Sequence, residues 1–257
     1  MAEELIARPE VTVVIPVYNE AEILARSVED LVVGLRALVG EGAFEVILAE
    51  NGSRDGTPEL AAGLGERFAE VATFSYPEPN YGGALREGIY RAKGQFVICE
   101  EIDLCDLDFH ARALEVLRRG EAELVIGSKA MRGANDQRPL KRRVATLAYN
   151  GLLRVTLGFR GTDTHGLKAF ARVPLLPIVA GCVVEFDVFA SELVIRAQRA
   201  GRRCREIPVE LNEKRAPSIR LAARVPRVLK NLMRLMVSIH LTPDSGDADV
   251  PEPAPHD

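Results

Sequence analysis

The sequence predicts an α/β fold in which helices flank a mostly parallel, twisted sheet. The first observation is a set of five short apolar runs rich in β-branched residues, from VTVVIPV at 11–17 to AELVIG at 122–127, which are typical of strands. The second is that a helical pattern separates each run from the next at the spacing of βαβ units. The third is that the first run is a continuous β-branched run, as expected of a strand covered on both faces.

The first half of the chain alternates strand and helix. The first helix is expected to begin at an Asn19 cap and to end near Val39. Its apolar stripe consists of Ile23, Leu24, Leu31 and Leu35. The later strands of this half are predicted at 44–49, 71–76, 95–99 and 122–127, and its later helices at 58–69, 82–94 and 109–120. Gly94 is expected to cap the third helix.

The second half is less regular. Its predicted elements are a helix at 140–158, a turn entering a short strand at 161–170, a helix at 186–201 and a strand at 204–211. These elements complete a domain that spans 1–217. Residues 218–241 are predicted to form a basic amphipathic helix, and the Pro- and acid-rich segment 242–257 to be disordered.

The predicted C-terminal helix has two different faces. One face is apolar and carries Leu221, Val225, Val228, Leu229, Leu232, Leu235, Met236 and Ile239. The other is basic and carries Arg220, Arg224, Arg227 and Arg234. Such a helix is typical of attachment to a membrane surface. Packing on the domain and a homodimer contact are the alternatives that the sequence leaves open.

Composition restricts the class of protein. The chain has 257 residues, of which 47% are hydrophobic and 27% charged, as in ordinary globular domains. A formal net charge of -4 gives no attraction for nucleic acid, so no such partner is predicted. The four cysteines form no C-x-x-C pair and are expected to be reduced thiols. Without a signal peptide or a spanning segment, we expect a cytoplasmic protein, with peripheral attachment to the cytoplasmic membrane face left open.

Three polar clusters follow predicted strands. PVYNE comes after the first strand, ENGSRDGT after the second and EEIDLCD after the fourth. The carboxyl ends of parallel strands meet at one edge of a sheet, and ligands of such folds bind there. The sequence therefore predicts that these clusters form one binding site.

A series of motifs carries a resemblance to a known family. VVIPVYNE, ENGSRDGT, NYGGALREGIYRAKG, EEIDL, IGSK, GLKAF, EFD and EIPVEL occur in this order. Over roughly residues 10–215 the chain resembles family 2 glycosyltransferases with the GT-A fold, and within them dolichol- and polyprenol-phosphate mannosyl- and glucosyltransferases. The resemblance implies a catalytic domain at 1–217 that transfers mannose or glucose, with inversion, from GDP-mannose or UDP-glucose to a polyprenyl phosphate.

The resemblance also implies a donor site. Its positions for the nucleotide sugar are Pro16, Tyr18, Glu20, Glu50, Asn51, Gly82, Gly83, Arg86 and Ile102. The family usually has two aspartates where this chain has Glu50 and Asn51. The alternatives are that ENGSRDGT is only a turn with a helix cap, and that the two glycines are only a glycine-rich helix start.

The resemblance further implies a divalent metal at the end of the fourth strand. The family motif Asp-x-Asp is Glu101-Ile102-Asp103 here, and we expect Glu101 and Asp103 to bind Mg²⁺ or Mn²⁺. Cys105 stands where relatives often have a glutamine ligand, and a thiol is a poor ligand for a hard cation. A variant that binds metal weakly and a merely solvated acidic loop remain the alternatives.

The acceptor side is implied by weaker matches. Lys129, Arg142 and Arg143 are the expected contacts of the acceptor phosphate, and ordinary solvated cations are the alternative. The resemblance adds three candidates for catalysis, namely Lys168, Glu185 and Asp187. Asp163 lies one residue away from the family spacing, and His165 is expected to be structural.

Two further functions stay open at this stage. One is the same chemistry on a soluble acceptor, with the C-terminal helix packed internally. The other is a catalytically weak nucleotide-sugar-binding protein. A NAD-binding Rossmann protein is disfavoured, because the first strand leads into PVYNE and not into a G-x-G-x-x-G turn.

Overall fold

The computed structural model describes residues 8–134, 140–184, 188–210 and 221–241, and for Arg142 and 221–229 it describes the helical backbone alone. Seven strands in these ranges form one sheet in the order β3-β2-β1-β4-β6-β5-β7. The strands are β1 Val11–Val17, β2 Phe44–Glu50, β3 Val71–Ser75, β4 Phe96–Cys99, β5 Leu124–Ser128, β6 Lys168–Ala171 and β7 Cys204–Pro208. Only β6 runs antiparallel to its neighbours, β4 and β5, among the described strands. The predicted mostly parallel α/β fold is confirmed.

Helices cover both faces of the sheet. They are α1 Leu24–Val39, α2 Thr57–Arg67, α3 Tyr81–Arg91, α4 Leu107–Arg118, α5 Leu140–Leu157, α6 Arg172–Gly181, α7 Phe189–Arg199 and α8 Leu221–Leu241. One apolar core lies between the sheet and helices α1, α2 and α4. A second core lies between the opposite face and helices α3, α5, α6, α7 and α8. Alternate residues of β1 serve the two cores: Val13 and Ile15 the first, Val14 the second.

Two predicted caps are wrong. Asn19 does not cap α1, which begins at Leu24 after a turn. Asn19 instead has a left-handed backbone, with φ of 53°, which asparagine tolerates better than most residues. Gly94 does not end α3, which stops at Arg91. A Cβ at Gly94 would lie 2.6 Å from the backbone nitrogen of Thr12, so this glycine permits a close approach of two backbones.

Helix α6 was not predicted as an element. Its sequence RVPLLPIVAG contains Pro177 in the helix interior and another proline in the first turn, which argued against a helix. Most of its apolar side chains are buried in the second core. A helix buried in this way has no polar stripe, so the usual helical periodicity is missing from the sequence.

Helix α8 packs on the domain through its apolar face. Leu232, Leu235 and Ile239 are buried in the second core, so over this length the predicted membrane-facing stripe faces the protein. Of the alternatives that the sequence left open, packing on the domain applies to this part of the helix. Some of the predictions for this region lie outside the described residues and side chains, namely those for Leu221, Val225, Val228, Leu229, Arg220, Arg224, Arg227 and the tail 242–257.

A buried polar network joins α8 to α7. Arg196 donates to Glu192 at 2.8 Å and to the Ser238 hydroxyl at 2.8 Å. That hydroxyl donates to Glu192 at 2.6 Å, and the other Glu192 oxygen accepts from the backbone N–H of Val184 at 2.7 Å. Because Glu192 and Arg196 are almost completely buried, the network fixes the docking of α8 and of the chain before residue 185.

Breaking this network is expected to destabilise the fold. Arg196→Leu leaves the buried Glu192 carboxylate without its charged partner, which should lower the free energy of unfolding by about 3–5 kcal/mol. Arg119→Leu removes an exposed ion pair with Glu115 and should cost less than about 1 kcal/mol. Urea unfolding measures both values, and equal losses in the two variants would contradict the role of the network.

Candidate active site

The loops after β1 and β2 are bound to each other at the carboxyl edge of the sheet. The side chain of Asn19 accepts from the backbone N–H of Arg54 at 2.9 Å, and the Ser53 hydroxyl accepts from Asn19 N–H at 3.0 Å. The Thr57 hydroxyl accepts from the Glu20 N–H at 2.8 Å. These contacts make the first two polar clusters one rigid unit, as their position at neighbouring strand ends predicts.

Glu50 and Asn51 are buried in this unit. Glu50 accepts from the N–H of Ser53 at 2.6 Å, which closes the turn after β2. Asn51 accepts from the N–H of Asn80 at 2.6 Å, which ties the start of α3 to the same edge. Both side chains therefore have the turn role that the sequence left open. Their contact with a base or ribose stays a prediction.

The remaining β1 candidates differ in exposure. Tyr18 is 42% exposed at the end of β1, where its ring is accessible for stacking on a base. Pro16 is buried inside β1, opposite Ala49 of β2. Any contribution of Pro16 to the donor site therefore comes through its place in the strand and not through its ring.

The glycines at the start of α3 serve packing. A Cβ at Gly83 would lie 2.5 Å from the hydroxyl oxygen of Tyr76, so this position admits no larger residue without a shift. Asn80 caps the helix by accepting from the Gly83 N–H at 3.0 Å, and Gly82 is buried beside it. Arg86 donates to the carbonyl of Cys182 at 3.1 Å, which links α3 to the end of α6. The two glycines thus have the role at a helix start that the sequence offered as the alternative to donor binding.

The acidic segment after β4 lines a pocket of about 760 Å³. Glu101 and Asp103 form part of its wall, together with Lys129 at the end of β5. Its other lining residues are Leu104, Cys105, Asp106, Leu107, Asp108, Arg112, Gly127, Gly133, Gly166, Leu167, Pro208, Val209 and Glu210. Ile102 points into the first core and is 4% exposed, so only its main chain is left for the predicted donor contact.

Glu101 has an unusual electrostatic environment. The Glu101 side chain is exposed to solvent, but it lies inside the pocket, where the atoms of the pocket wall are close to it. This partial burial, strengthened by the nearby Asp103 carboxylate, raises the pKa of Glu101 to about 7, against the opposing effect of Lys129. The pair therefore resists the presence of two negative charges and favours a positively charged ligand.

The two carboxylates fit a divalent cation of the Mg²⁺ type. Such ions are commonly held by one or two carboxylates together with substrate phosphates. Within the described ranges, no three His, Cys, Asp or Glu side chains gather as an all-protein metal site. The Cys105 thiol donates to the carbonyl oxygen of Ile102 at 3.5 Å, so it supports the loop and does not substitute for an oxygen ligand. With Glu101 and Asp103 as ligands, the rest of the coordination would come from substrate and water.

Cationic side chains lie beside this acid pair. Lys129 Nζ is 3.6 Å from a carboxylate oxygen of the buried Asp163. Lys168 is 3% exposed and donates to the carbonyl of Gly166 at 2.6 Å. Burial lowers the pKa of Lys168 to about 8, although the nearby Cys99, Asp163 and Glu101 act in the opposite direction. Two ammonium groups and two carboxylates therefore share one edge of the sheet.

His165 and Asp163 support this cluster. Asp163 accepts from the N–H of His165 at 2.9 Å. His165 reaches the surface, but the protein atoms around its ring and the nearby Lys129 lower its pKa to about 4, so the ring is neutral near pH 7. The structural role expected of His165 stays a prediction. Asp163 has a clear place in the cluster that its shifted sequence spacing did not reveal.

Of the remaining candidates, the structure fully describes only Arg143. Arg143 is exposed on α5. The side chain of Arg142 and the whole of Glu185 and Asp187 lie outside the described residues.

Glu100 and His110 form a buried pair beneath the acidic segment that sequence reasoning missed. The signal available for Glu100 was an acid that directly follows an apolar strand.

The pKa of Glu101 predicts how stability depends on pH. The folded protein holds the Glu101 proton with a pKa of about 7, against an ordinary value of 4.5. The protonated Glu101 side chain therefore fits the folded protein better than the charged one. This advantage is fully present below about pH 4.5 and is lost as the pH rises through 7. Glu101→Gln should therefore become more stable relative to the wild type between pH 5 and 8. Melting temperatures in EDTA measure this difference, and a constant difference across the range would contradict the shifted pKa.

Comparison with known proteins agrees with this geometry. The family model for glycosyl transferase family 2 matches residues 12–176. Glycosyltransferase AglD of Haloferax volcanii is 35% identical over 208 residues, which are 80% of this chain and 33% of AglD. Dolichyl-phosphate beta-glucosyltransferase ALG5D of Trichomonas vaginalis is 25% identical over 244 residues, which are 90% of this chain and 74% of ALG5D. The chain thus spans about a third of the length of AglD.

A solved structure shows the same fold. Glucosyl-3-phosphoglycerate synthase from Mycobacterium tuberculosis, crystallised with Mn²⁺, UDP and phosphoglyceric acid, has a TM-score of 0.62 and 23% identity. The match covers 90% of this chain and 79% of the synthase. None of the described helices is long and apolar enough to cross a membrane. The fold is of the GT-A type, and the chain belongs to glycosyl transferase family 2.

Proposed function

We propose that this glycosyltransferase moves a hexose from a nucleotide diphosphate sugar to a polyprenyl or dolichyl phosphate. The observation that carries the proposal is the pocket wall that contains Glu101, Asp103 and Lys129, with the charge of the buried Lys168 close to Glu101. This arrangement suits a reaction in which one diphosphate leaves and another phosphate attacks. The relatives named dolichyl-phosphate beta-glucosyltransferase favour UDP-glucose as donor, with GDP-mannose as the second choice.

The chemistry is a single displacement. An oxygen of the acceptor phosphate attacks C1 of the sugar, and the bond from C1 to the nucleoside diphosphate breaks on the opposite side. The product is a β-linked polyprenyl-phosphate sugar. Because a phosphate is already an anion near neutral pH, the attack needs positioned cations more than a general base.

Each half of the pocket has its own part in this reaction. Glu101 and Asp103 would hold Mg²⁺ or Mn²⁺, which when bound neutralises charge on the departing diphosphate. Lys129 would place the acceptor phosphate, with Asp163 keeping Lys129 in position, and the buried Lys168 would add positive charge next to Glu101. Tyr18 and the loop around Glu50 and Asn51 would receive the base and ribose.

The acceptor's chain suggests a lipid-facing surface. On α5, Leu140, Val144, Leu147 and Val155 are exposed at helical spacing. On the adjacent α8, Met233, Val237 and Leu241 are exposed on the side opposite the core. Exposed basic residues accompany both stripes, namely Lys141, Arg143, Lys230 and Arg234. We propose that these two stripes, and not the buried face of α8, rest on an anionic membrane surface.

Polar substitutions on this surface should weaken membrane binding. Met233→Ser combined with Val237→Ser removes two exposed apolar side chains, and partitioning onto vesicles with anionic lipid should fall about tenfold. Val33→Ser, at an equally exposed valine of α1, should bind as the wild type does. Vesicle co-sedimentation measures both variants. Unchanged binding of the double variant would reject the proposed membrane-binding surface. If the protein alone forms a dimer and the double variant dissociates that dimer, the surface would instead be a contact with a second copy of the chain.

A soluble phosphate acceptor is the second candidate. The observation that favours it is the packing of the apolar α8 face on the domain, which makes a lipid anchor there unnecessary. A screen for UDP or GDP release, with UDP-glucose and GDP-mannose each offered a polyprenyl phosphate or phosphoglyceric acid, separates the candidates. Release that needs the polyprenyl phosphate supports the first proposal. Nucleotide binding without release in any combination would leave only a nucleotide-sugar-binding protein.

A further inference from the structure

Glu100 is a buried carboxylate at the base of the acidic segment. It follows β4 directly, is 1% exposed and lies one residue before Glu101. One carboxylate oxygen accepts from the N–H of Glu101 at 2.8 Å. The other accepts from the N–H of Asp106 at 3.1 Å and lies 2.7 Å from His110 Nε2. A single side chain thus binds both ends of the segment.

The segment between these two ends is a closed loop. The carbonyl of Glu101 accepts from the N–H groups of Leu104 and Cys105 at 3.0 and 3.3 Å. Cys105 has a left-handed backbone with φ of 45°, a conformation that costs energy for this residue type. Asp106 then caps α4 by accepting from the N–H of Phe109 at 2.9 Å. The loop therefore depends on contacts that hold its two ends together.

His110 completes the arrangement from the first turn of α4. Its side chain is fully buried, and Nδ1 has no hydrogen-bond partner in the described part of the chain. A proton on Nε2 is donated to Glu100, whereas a proton on Nδ1 would lack an acceptor. His110 therefore acts as a donor that orients the Glu100 carboxylate, in the way that outer residues orient metal ligands.

We propose that Glu100 and His110 are positioning residues that hold Glu101 and Asp103 at the spacing a divalent cation requires. The proposal rests on the proposed metal role of Glu101 and Asp103. Glu100 itself does not bind the metal, because its oxygens are engaged with Glu101, Asp106 and His110. Its side chain is a support beneath the site and not a part of the pocket wall.

The test separates metal affinity from nucleotide affinity. Electron paramagnetic resonance gives the Kd for Mn²⁺ with saturating UDP, and calorimetry in EDTA gives the Kd for UDP alone. In Glu100→Gln an amide N–H₂ group replaces an accepting oxygen, so the Kd for Mn²⁺ should rise about 10–100-fold while the Kd for UDP alone changes less than about twofold. Hydrogen exchange in the peptide covering 101–106 should become faster.

Three further variants keep the test decisive. His110→Gln retains a side-chain N–H donor, so it should keep more Mn²⁺ affinity than His110→Leu. Glu70→Gln weakens an ion pair of a buried carboxylate with the partly exposed Arg36, 2.9 Å long and outside the pocket lining, and should leave both affinities unchanged.

Wild-type Mn²⁺ affinity in Glu100→Gln would overturn the positioning role, as would equal losses of Mn²⁺ and UDP affinity. No Mn²⁺ binding by the wild type would overturn the metal site itself, and the positioning role with it.

Discussion

Asp103→Asn and Glu101→Gln are each expected to reduce sugar transfer by about 10²–10³-fold or more at pH 7.5. Both changes keep the size of the side chain and remove a charge from the wall of the 760 Å³ pocket. The loss should fall on kcat, because the charge that these ligands help to neutralise develops as the diphosphate leaves. Steady-state kinetics with saturating Mn²⁺ measures the effect.

Asp108→Asn is the matched control for this prediction. Asp108 lines the same pocket but is exposed and paired with Arg112, so its loss should change the rate by less than about threefold. An equal decrease in all three variants would mean that the pocket responds only to its total charge. A rate in Asp103→Asn close to that of the wild type would remove Asp103 from the mechanism.

Lys168→Met is expected to reduce sugar transfer by about 10²–10³-fold, since it removes a buried ammonium group next to the acid pair. The wild-type rate should also fall as the pH rises through about 8, where the folded protein loses the Lys168 proton. This decrease should be absent from the residual activity of Lys168→Met. A pH profile of kcat between 6.5 and 9.5 tests both statements.

Lys93→Met is the control for the buried lysine. Lys93 is exposed beyond the end of α3, so its substitution should preserve both the rate and the pH profile. If Lys168→Met kept its alkaline decrease, another group would be responsible for it. Structural damage, such as a cavity beside Cys99, would lower the melting temperature without by itself changing the pH profile.

Much of the sheet follows from local sequence. The β-branched runs at β1, β2 and β4 are buried on both faces, so their composition identifies them without any knowledge of their partners. The pairing of β6 between β4 and β5 could not be predicted, because its four residues carry no signal of direction. Helix α6 was hidden by Pro177, whose cost in the helix interior is offset by burial of its neighbours.

The sequence predicted the main charged residues of the site, but not the residues that hold them in place. Strand ends and motif order identified Glu101, Asp103 and Lys168, and the structure brings them to one edge of the sheet. Asp163 and His110 come from distant parts of the chain, and only the fold places them against Lys129 and Glu100. Three residues that the sequence assigned to ligand binding turn out to have structural roles in loops and packing as well, namely Glu50, Asn51 and Gly83.

The most direct measurement is the transfer of labelled glucose from UDP-glucose to a polyprenyl phosphate, with and without Mn²⁺. We expect a product that extracts into organic solvent, carries a β-linked sugar, and is not formed in EDTA or by Asp103→Asn. Failure to form this product from UDP-glucose or GDP-mannose, by a folded protein that binds the nucleotide, would contradict the proposed function.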